Sequence, residues 1–439
     1  MLTKARLLMG SDRLRLHTAL LLLLLVVCRP LSAQGLPTAR PEDVGLSSER
    51  LEQLSRTLQQ YVDDGRLAGG VALVARHGKV AYLEPFGARD REARAPMRDD
   101  AIFRIASHTK ALVSVAIMML QEQGALAISD PVGKYLPEFQ KTKVAVGRPG
   151  GGYDVVDAKR AITLRDLLTH TSGIGYGDGP AKELWEEAKM TGWYFADRDE
   201  PVGATVARMA ALPFDAQPGE RWVYGYSTDI LGVVIERVSG VSLETFLRTR
   251  IFEPLKMRDT HFYLPPAKKD RLAAVYSATE SGLERAPAPG GMVGQGAYVD
   301  GPRKSFSGGA GLLSTAADYA RFLQMLLNGG ALDGVRILSR KSVERMTVNH
   351  VGGRYARGGA GFGLGFSVVT RAPAADQVGS VGEFGWGGAY HSTYWVDPRE
   401  ELVVVYLTQL IPAGDIDDHA AVRAQVYQTI TDGARRFRH

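Results

Sequence analysis

Leu51, Leu54, Leu58 and Tyr61 recur at three- and four-residue steps behind Ser47, Ser48 and Glu49, a pattern that predicts a capped amphipathic helix. Two apolar runs follow, Gly70 to Arg76 and Val80 to Pro85, joined by His77-Gly78-Lys79 as an antiparallel hairpin would be. Towards the other end Gly361 to Thr370, Tyr390 to Val396 and Leu402 to Leu407 read as strands, the last two joined by an Asp397-Pro398-Arg399-Glu400 turn. Ala420 to Phe437 reads as a closing helix. Thr315 with Asp318 opens another helix through Phe322, Met325 and Leu326, which Asn328-Gly329-Gly330 closes. Strands near both ends and mainly helical signals between them predict an α/β (α+β) fold. One antiparallel sheet is assembled from the two chain ends and flanked by helices, with an inserted, mainly helical region. The sheet region is expected over about 34–105 and 300–439, and the helical region over about 106–299. Gly147 to Gly152 lacks the Gly-Lys-Ser/Thr ending of a phosphate loop and reads as a surface loop. The Pro287 to Gly296 stretch, rich in Pro and Gly, is a second loop separating the helical region from the later elements.

The 439 residues are 45% hydrophobic and 23% charged, a globular composition. The net charge of +5 is concentrated at the start, where Lys4, Arg6, Arg13, Arg15 and Arg29 oppose only Asp12. The remaining body is near neutral, which argues against a nucleic-acid partner. Those basic residues flank an apolar run from Ala19 to Cys28, followed by Leu31-Ser32-Ala33, the pattern of an export signal over residues 1–33. The run is about half the roughly 20 residues that cross a bilayer, so no stable membrane span is expected, although a signal or lipid anchor at Cys28 stays open. Cleavage after Ala33 would give a periplasmic or secreted protein without cysteine, hence without a disulfide or a thiol nucleophile.

Phe103 to Ala106 leads into Ser107-His108-Thr109-Lys110, and Ala111 to Leu120 is apolar almost all round, the pattern of a buried helix. Ser107 at its N-terminus and Lys110 one turn later share a face, so hydroxyl and amine can meet. The helix dipole favours an alkoxide at Ser107, and the amine can take its proton. Taken alone, Ser-x-x-Lys is expected roughly once by chance in such a chain, and a serine cap beside a solvated lysine explains it equally well.

Its company is more specific. Ser107-x-x-Lys110, Leu167-Leu168-Thr169-His170-Thr171-Ser172-Gly173, Tyr226-Ser227-Thr228 and Trp386-Gly387-Gly388 occur in that order. Together they resemble the serine β-lactamase and penicillin-binding-protein superfamily, and within it the family VIII carboxylesterases most closely. The likeness extends over Asp130-Pro131, Pro218-Gly219, Gly308 to Asp318 and Gly385 to Pro398. It implies that Ser107 is acylated, that Lys110 is its partner and that Tyr226 relays a proton to and from the leaving group. A phenol does this only if a cation lowers its pKa from about 10. The resemblance also places Trp386, Gly387 and Gly388 on a strand beside the nucleophile, with Thr228, as substrate-binding residues, and the N–H groups of Ser107 and Ala389 as the oxyanion hole. Two departures bear on the substrate. Trp386-Gly387-Gly388 replaces the Lys-Thr-Gly of β-lactamases, losing a cation and a hydroxyl suited to a β-lactam carboxylate, and Thr228 replaces an asparagine suited to amide-bearing acyl groups.

His108 adjoins Ser107 but points elsewhere on the helix and is expected to line the cleft, and His170 to support a loop. Asp415, Asp417, Asp418 and His419 precede the last helix and read as its cap rather than as a metal site. Trp185, Trp193, Tyr194, Phe195 and Trp222 either wall an acyl pocket or belong to the core. His-Glu-x-x-His and Gly-x-Ser-x-Gly are both absent from the sequence, which disfavours zinc peptidases and α/β-hydrolases. The expectation is an exported serine hydrolase of small carboxylic esters, working through an acyl-enzyme without metal or organic cofactor. A β-lactamase or D-amino-acid peptidase of cell-wall type, and a noncatalytic binding protein of the same fold, are the alternatives.

Overall fold

Eight strands form one sheet in the computed structural model, which describes residues 35–355, 358–371 and 378–432. In chain order they are β1 (Gly69–Arg76), β2 (Lys79–Asp90), β3 (Ala95–Pro96), β4 (Ala360–Phe362), β5 (Ser367–Val369), β6 (Phe384–Gly388), β7 (Ser392–Asp397) and β8 (Leu402–Thr408). Their spatial order is β4-β5-β6-β7-β8-β1-β2-β3, with every neighbouring pair antiparallel. The two ends of the chain meet at the centre, where β1 pairs with β8 from Gly70 opposite Thr408 to Arg76 opposite Leu402.

β1 and β8 read as continuous apolar runs because both faces of the sheet are covered. Val71, Leu73, Val403 and Val405 face one core with helices α2 (Thr109–Glu122), α3 (Ser227–Ser239) and α4 (Ala316–Leu327). Ala72, Val74, Val404 and Tyr406 face the other, under α1 (Ser48–Asp63) and α5 (Asp418–Gln428). Each fully buried Val or Leu here contributes about 2 kcal/mol of transfer free energy. α1 begins as expected, with Ser47 accepting from the N–H of Arg50, and it buries Leu51, Leu54, Leu58 and Tyr61. α4 begins with Thr315 accepting from the N–H of Asp318.

The departures from expectation have local causes. Gly361 to Thr370 is two strands rather than one, because Gly363 donates back to Phe366 at 2.7 Å and Gly365 takes a φ of 94°. The strand expected from Tyr390 starts at Ser392, since His391 has a φ of 61° and turns the chain. The closing helix runs over Asp418–Gln428, and Ile430 then bridges to Leu46. Gly147 and Gly152 bound the turn of an exposed hairpin, Lys143–Gly147 with Tyr153–Asp157, whose first strand also pairs with Pro213–Phe214. A small sheet therefore sits inside the region expected to be helical. The expected export signal lies outside the described residues. Among the described residues no helix is long and apolar enough to cross a membrane.

Candidate active site

Phe103 and Arg104 pair with Ser314 and Leu313, and the chain then turns sharply at Ala106, whose φ of 41° lies in the left-handed region. Strain of that kind is tolerated where the surroundings over-determine it, and here it falls on the residue before Ser107. Ser107 follows in a single 3-10 turn, Ala106–His108, and α2 starts at Thr109. Every residue from Thr109 to Leu120 is buried, so Lys110 has no route to solvent along its own helix. Its Nζ donates to the Gly309 carbonyl at 2.7 Å, to Ser107 Oγ at 3.2 Å and to the Tyr176 hydroxyl at 3.2 Å. The amine is thus held among three oxygen neighbours, one of them the Ser107 hydroxyl.

Gly309 is held in turn by Asp229 of α3. The Asp229 carboxylate accepts from Ser307 Oγ at 2.6 Å and from the Gly309 N–H at 3.0 Å. A Cβ at position 309 would lie 2.3 Å from the other carboxylate oxygen, so only glycine fits there. Burial pushes the Asp229 carboxyl above its usual range, while Lys110 pulls the other way. Neither Asp229 nor Gly309 is legible as a site residue from its own sequence neighbourhood.

Two phenols face Lys110, and neither is Tyr226. Tyr176, on the Gly173 to Gly179 loop, bonds the amine directly, and burial pushes its hydroxyl well above the ordinary range. Tyr224 lies with its ring face 4.7 Å from Nζ, and its hydroxyl accepts from Trp386 Nε1 at 3.0 Å. Tyr226 is fully buried, its ring stacked on Trp185 and edge-on to Tyr176 and Phe195, and its hydroxyl donates to the Gly192 carbonyl. Burial raises its pKa, followed by Asp229, so the cation-lowered phenol expected at this position is not found. The reason is local: Tyr226 is the residue at which α3 begins, and the helical turn rotates it inward from the direction of Tyr224. Thr228 is likewise corrected. It lies inside α3, buried, with its carbonyl against Gly308, and is not among the residues lining the Ser107 cleft.

Trp386, Gly387 and Gly388 do line that cleft, on β6, together with Ser107 and Ala389. A Cβ on Gly388 would lie 2.8 Å from the Ile105 carbonyl, so glycine lets the strand close onto the turn that carries Ser107. Tyr176, Trp193, Tyr224 and Tyr355 complete an aromatic wall around about 440 Å³. A larger groove of about 780 Å³ holds neither Ser107 nor Lys110. Arg208 on its wall pairs with Glu200, and since it lacks Ser107 the smaller cleft is the better candidate.

Of the five aromatics in question, Trp193 alone lines the cleft. Trp185, Tyr194 and Phe195 are core, and Trp222 packs behind Tyr224, Tyr355 and Trp386. His108 is fully buried against Tyr319 and Tyr394 rather than at the cleft, and burial lowers its pKa to about 3. His170 packs against Tyr224 at 4.8 Å and so backs the aromatic wall. Asp417 occupies the position before α5 without capping it and instead accepts from Tyr61 and pairs with Arg66. Asp418 and His419 turn towards His391.

Comparison with known proteins agrees with this architecture. The model of the Beta-lactamase family matches residues 54–428. The chain is 33% identical to Esterase EstB of Burkholderia gladioli over 389 residues, spanning 85% of this chain and 93% of that protein. It is 28% identical to the lovastatin esterase of Penicillium rubens over 392 residues, 83% of this chain and 94% of that one. Among solved structures, EstCE1, a hydrolase with promiscuous acyltransferase activity, superposes with a TM-score of 0.74 at 27% identity, covering 86% of this chain and 98% of its own. With its antiparallel sheet, flanking helices and Ser107 at the start of a buried helix, the chain belongs to the Beta-lactamase family and is a serine hydrolase of that fold.

Proposed function

We propose that the protein hydrolyses carboxylic esters of short or medium acyl chains through an acyl-enzyme on Ser107. The observation that carries this reading is the Lys110 amine, 3.2 Å from Ser107 Oγ, in a cleft walled by aromatic rings where Trp386 takes the place of a cation. As Oγ attacks the ester carbonyl its proton passes to Lys110, and Tyr224 gives a proton to the departing alkoxide. Trp386 N–H bonds the Tyr224 oxygen, which leaves the phenol's own proton free for that transfer and steadies the oxygen once the proton has gone. The proton on Lys110 then restores the phenol. Water repeats the sequence in the opposite sense and releases the acid. Tyr176 and Gly309 hold the amine in place, and the N–H groups of Ser107 and Ala389 serve the oxyanion.

The cleft's volume and its rings suit an apolar acyl or alcohol group, and the absence of a lysine at position 386 removes the partner a β-lactam carboxylate would seek. The esterase names of relatives spanning most of this chain support the same choice. An amino-terminal export signal, read from residues 1–33, would deliver the enzyme to the periplasm or the medium. The test is turnover of p-nitrophenyl butyrate beside nitrocefin and a D-Ala-D-Ala peptide. Ester turnover well above the other two is expected, and the reverse order would replace this reading with the β-lactamase or peptidase one.

A further inference from the structure

At the rim of the cleft, three side chains from two distant parts of the sequence converge. His391 sits in the turn between β6 and β7, where its φ of 61° aims it towards the start of α5. Its Nε2 lies 2.6 Å from Asp418 Oδ1, and the imidazole of His419 stacks on its ring with centroids 4.0 Å apart. Asp418 is completely buried, and its second oxygen accepts from the Tyr406 hydroxyl at 2.7 Å. One donor atom from each of His391, Asp418 and His419 falls within 4.8 Å of the other two.

We propose that His391, Asp418 and His419 form a binding site for a divalent transition-metal ion of the zinc type. Two imidazoles and a carboxylate are the donor set such an ion prefers. Zinc takes nitrogen and oxygen donors at about 2.0–2.2 Å, which places tetrahedral donors about 3.3 Å apart. The present donors lie within 4.8 Å of one another, and binding would require the histidine rings to turn, His419 giving up the contact of its Nε2 with the His391 carbonyl if that nitrogen is the ligand. The ion takes the place of the hydrogen bond between His391 Nε2 and Asp418, with the neutral imidazole keeping its N–H on Nδ1. The buried carboxylate supplies the opposing charge, and Tyr406 fixes its orientation as an outer hydrogen-bond partner does at a metal site. Both histidines also line the cleft that holds Ser107, so the ion's remaining coordination position opens onto the space a substrate enters. The site is independent of the esterase reading, because none of its three residues takes part in that chemistry.

The experiment is a calorimetric titration of the chelator-treated full chain with zinc chloride. The wild type, His391→Gln, His419→Gln and Asp417→Asn are compared, with thermal melting in chelator confirming that each is folded. One zinc per chain is expected. Its affinity should fall at least tenfold in each histidine variant and stay unchanged in Asp417→Asn, whose carboxylate is occupied by Tyr61 and Arg66. Cobalt(II) in place of zinc should give visible absorption of tetrahedral intensity, lost in the histidine variants. Absence of saturable binding to the wild type, or wild-type affinity in both histidine variants, overturns the proposal. The two variants serve as independent checks, so a folding defect in one still leaves the other to decide.

Discussion

The carbonyl of Gly309 lies 2.7 Å from the amine of Lys110, while the N–H of the same residue is fixed by Asp229 at 3.0 Å. A single backbone unit thus links a buried amine to a buried carboxyl group, and the amine is positioned by main chain as well as by the Tyr176 side chain. Gly309→Ala is expected to break that coupling, because the new methyl would meet the carboxylate at 2.3 Å. Ester turnover should fall at least ~10-fold together with a lowered melting temperature. Normal turnover in a stable Gly309→Ala protein would show that Lys110 does not depend on this loop.

Ser107→Ala should lower p-nitrophenyl butyrate turnover by ~10³ or more and abolish labelling by a fluorophosphonate. Lys110→Ala should match it in turnover. It should also destabilise the fold by about 1–3 kcal/mol, because the Gly309 carbonyl loses its partner in a buried setting. Denaturant melts of the two variants separate the chemical effect from the structural one.

The three tyrosines should divide by role. Tyr224→Phe is expected to lose ~10² to 10³ in kcat and Tyr176→Phe a smaller amount, since Tyr176 holds the amine while Tyr224 moves the proton. Tyr226→Phe keeps the packed ring against Trp185 and loses only the bond to Gly192, so activity within a few-fold of wild type is expected. A Tyr226→Phe defect as deep as that of Tyr224→Phe would restore the assignment drawn from the sequence motif.

Asp215 gives a pH-dependent prediction. Burial, and then Asp178, raise its carboxyl from the ordinary 3.8 to about 6, with Arg221 opposing. The folded state therefore holds this proton more tightly than the unfolded chain. Its contribution to stability is present below about pH 4 and is lost as pH rises through about 6. Asp215→Asn, which cannot ionise, should raise the melting temperature by a few degrees at about pH 7.5 and leave it unchanged near pH 4. An equal effect at both values would assign the change to hydrogen bonding instead.

The central sheet was legible because Val71 to Ala75 of β1 and Leu402 to Leu407 of β8 are unbroken apolar runs, a pattern that burial on both faces requires. Ser107 and Lys110 were legible because three residues on a helix is a fixed distance in space. The phenol was not, because Tyr224 and Tyr226 differ by the single turn that starts α3, and the tight approach of Gly225 to Ile174, which pins that turn, involves a residue far away in sequence. Tyr176, Asp229 and Gly309 lie on three separate segments whose convergence on Lys110 depends on packing alone. His391 and Asp418 escaped for the same reason, since the acids before α5 look like a cap until the β6–β7 turn is folded against them.

The pairing of β1 with β8 also dictates an order of events. Gly70 and Thr408 are neighbours across the sheet yet more than three hundred residues apart along the chain. The sheet cannot close until β8 has been made, and such long-range pairing is slow to find. β6 closes on the Ser107 turn and is held in the sheet by β7 and β8, so a nascent or truncated chain ending before Leu402 has Ser107 but an unfinished sheet beside it. Hydrolytic competence is therefore withheld until β8 has been made, and every nonsense mutation upstream of that strand is equivalent to a null.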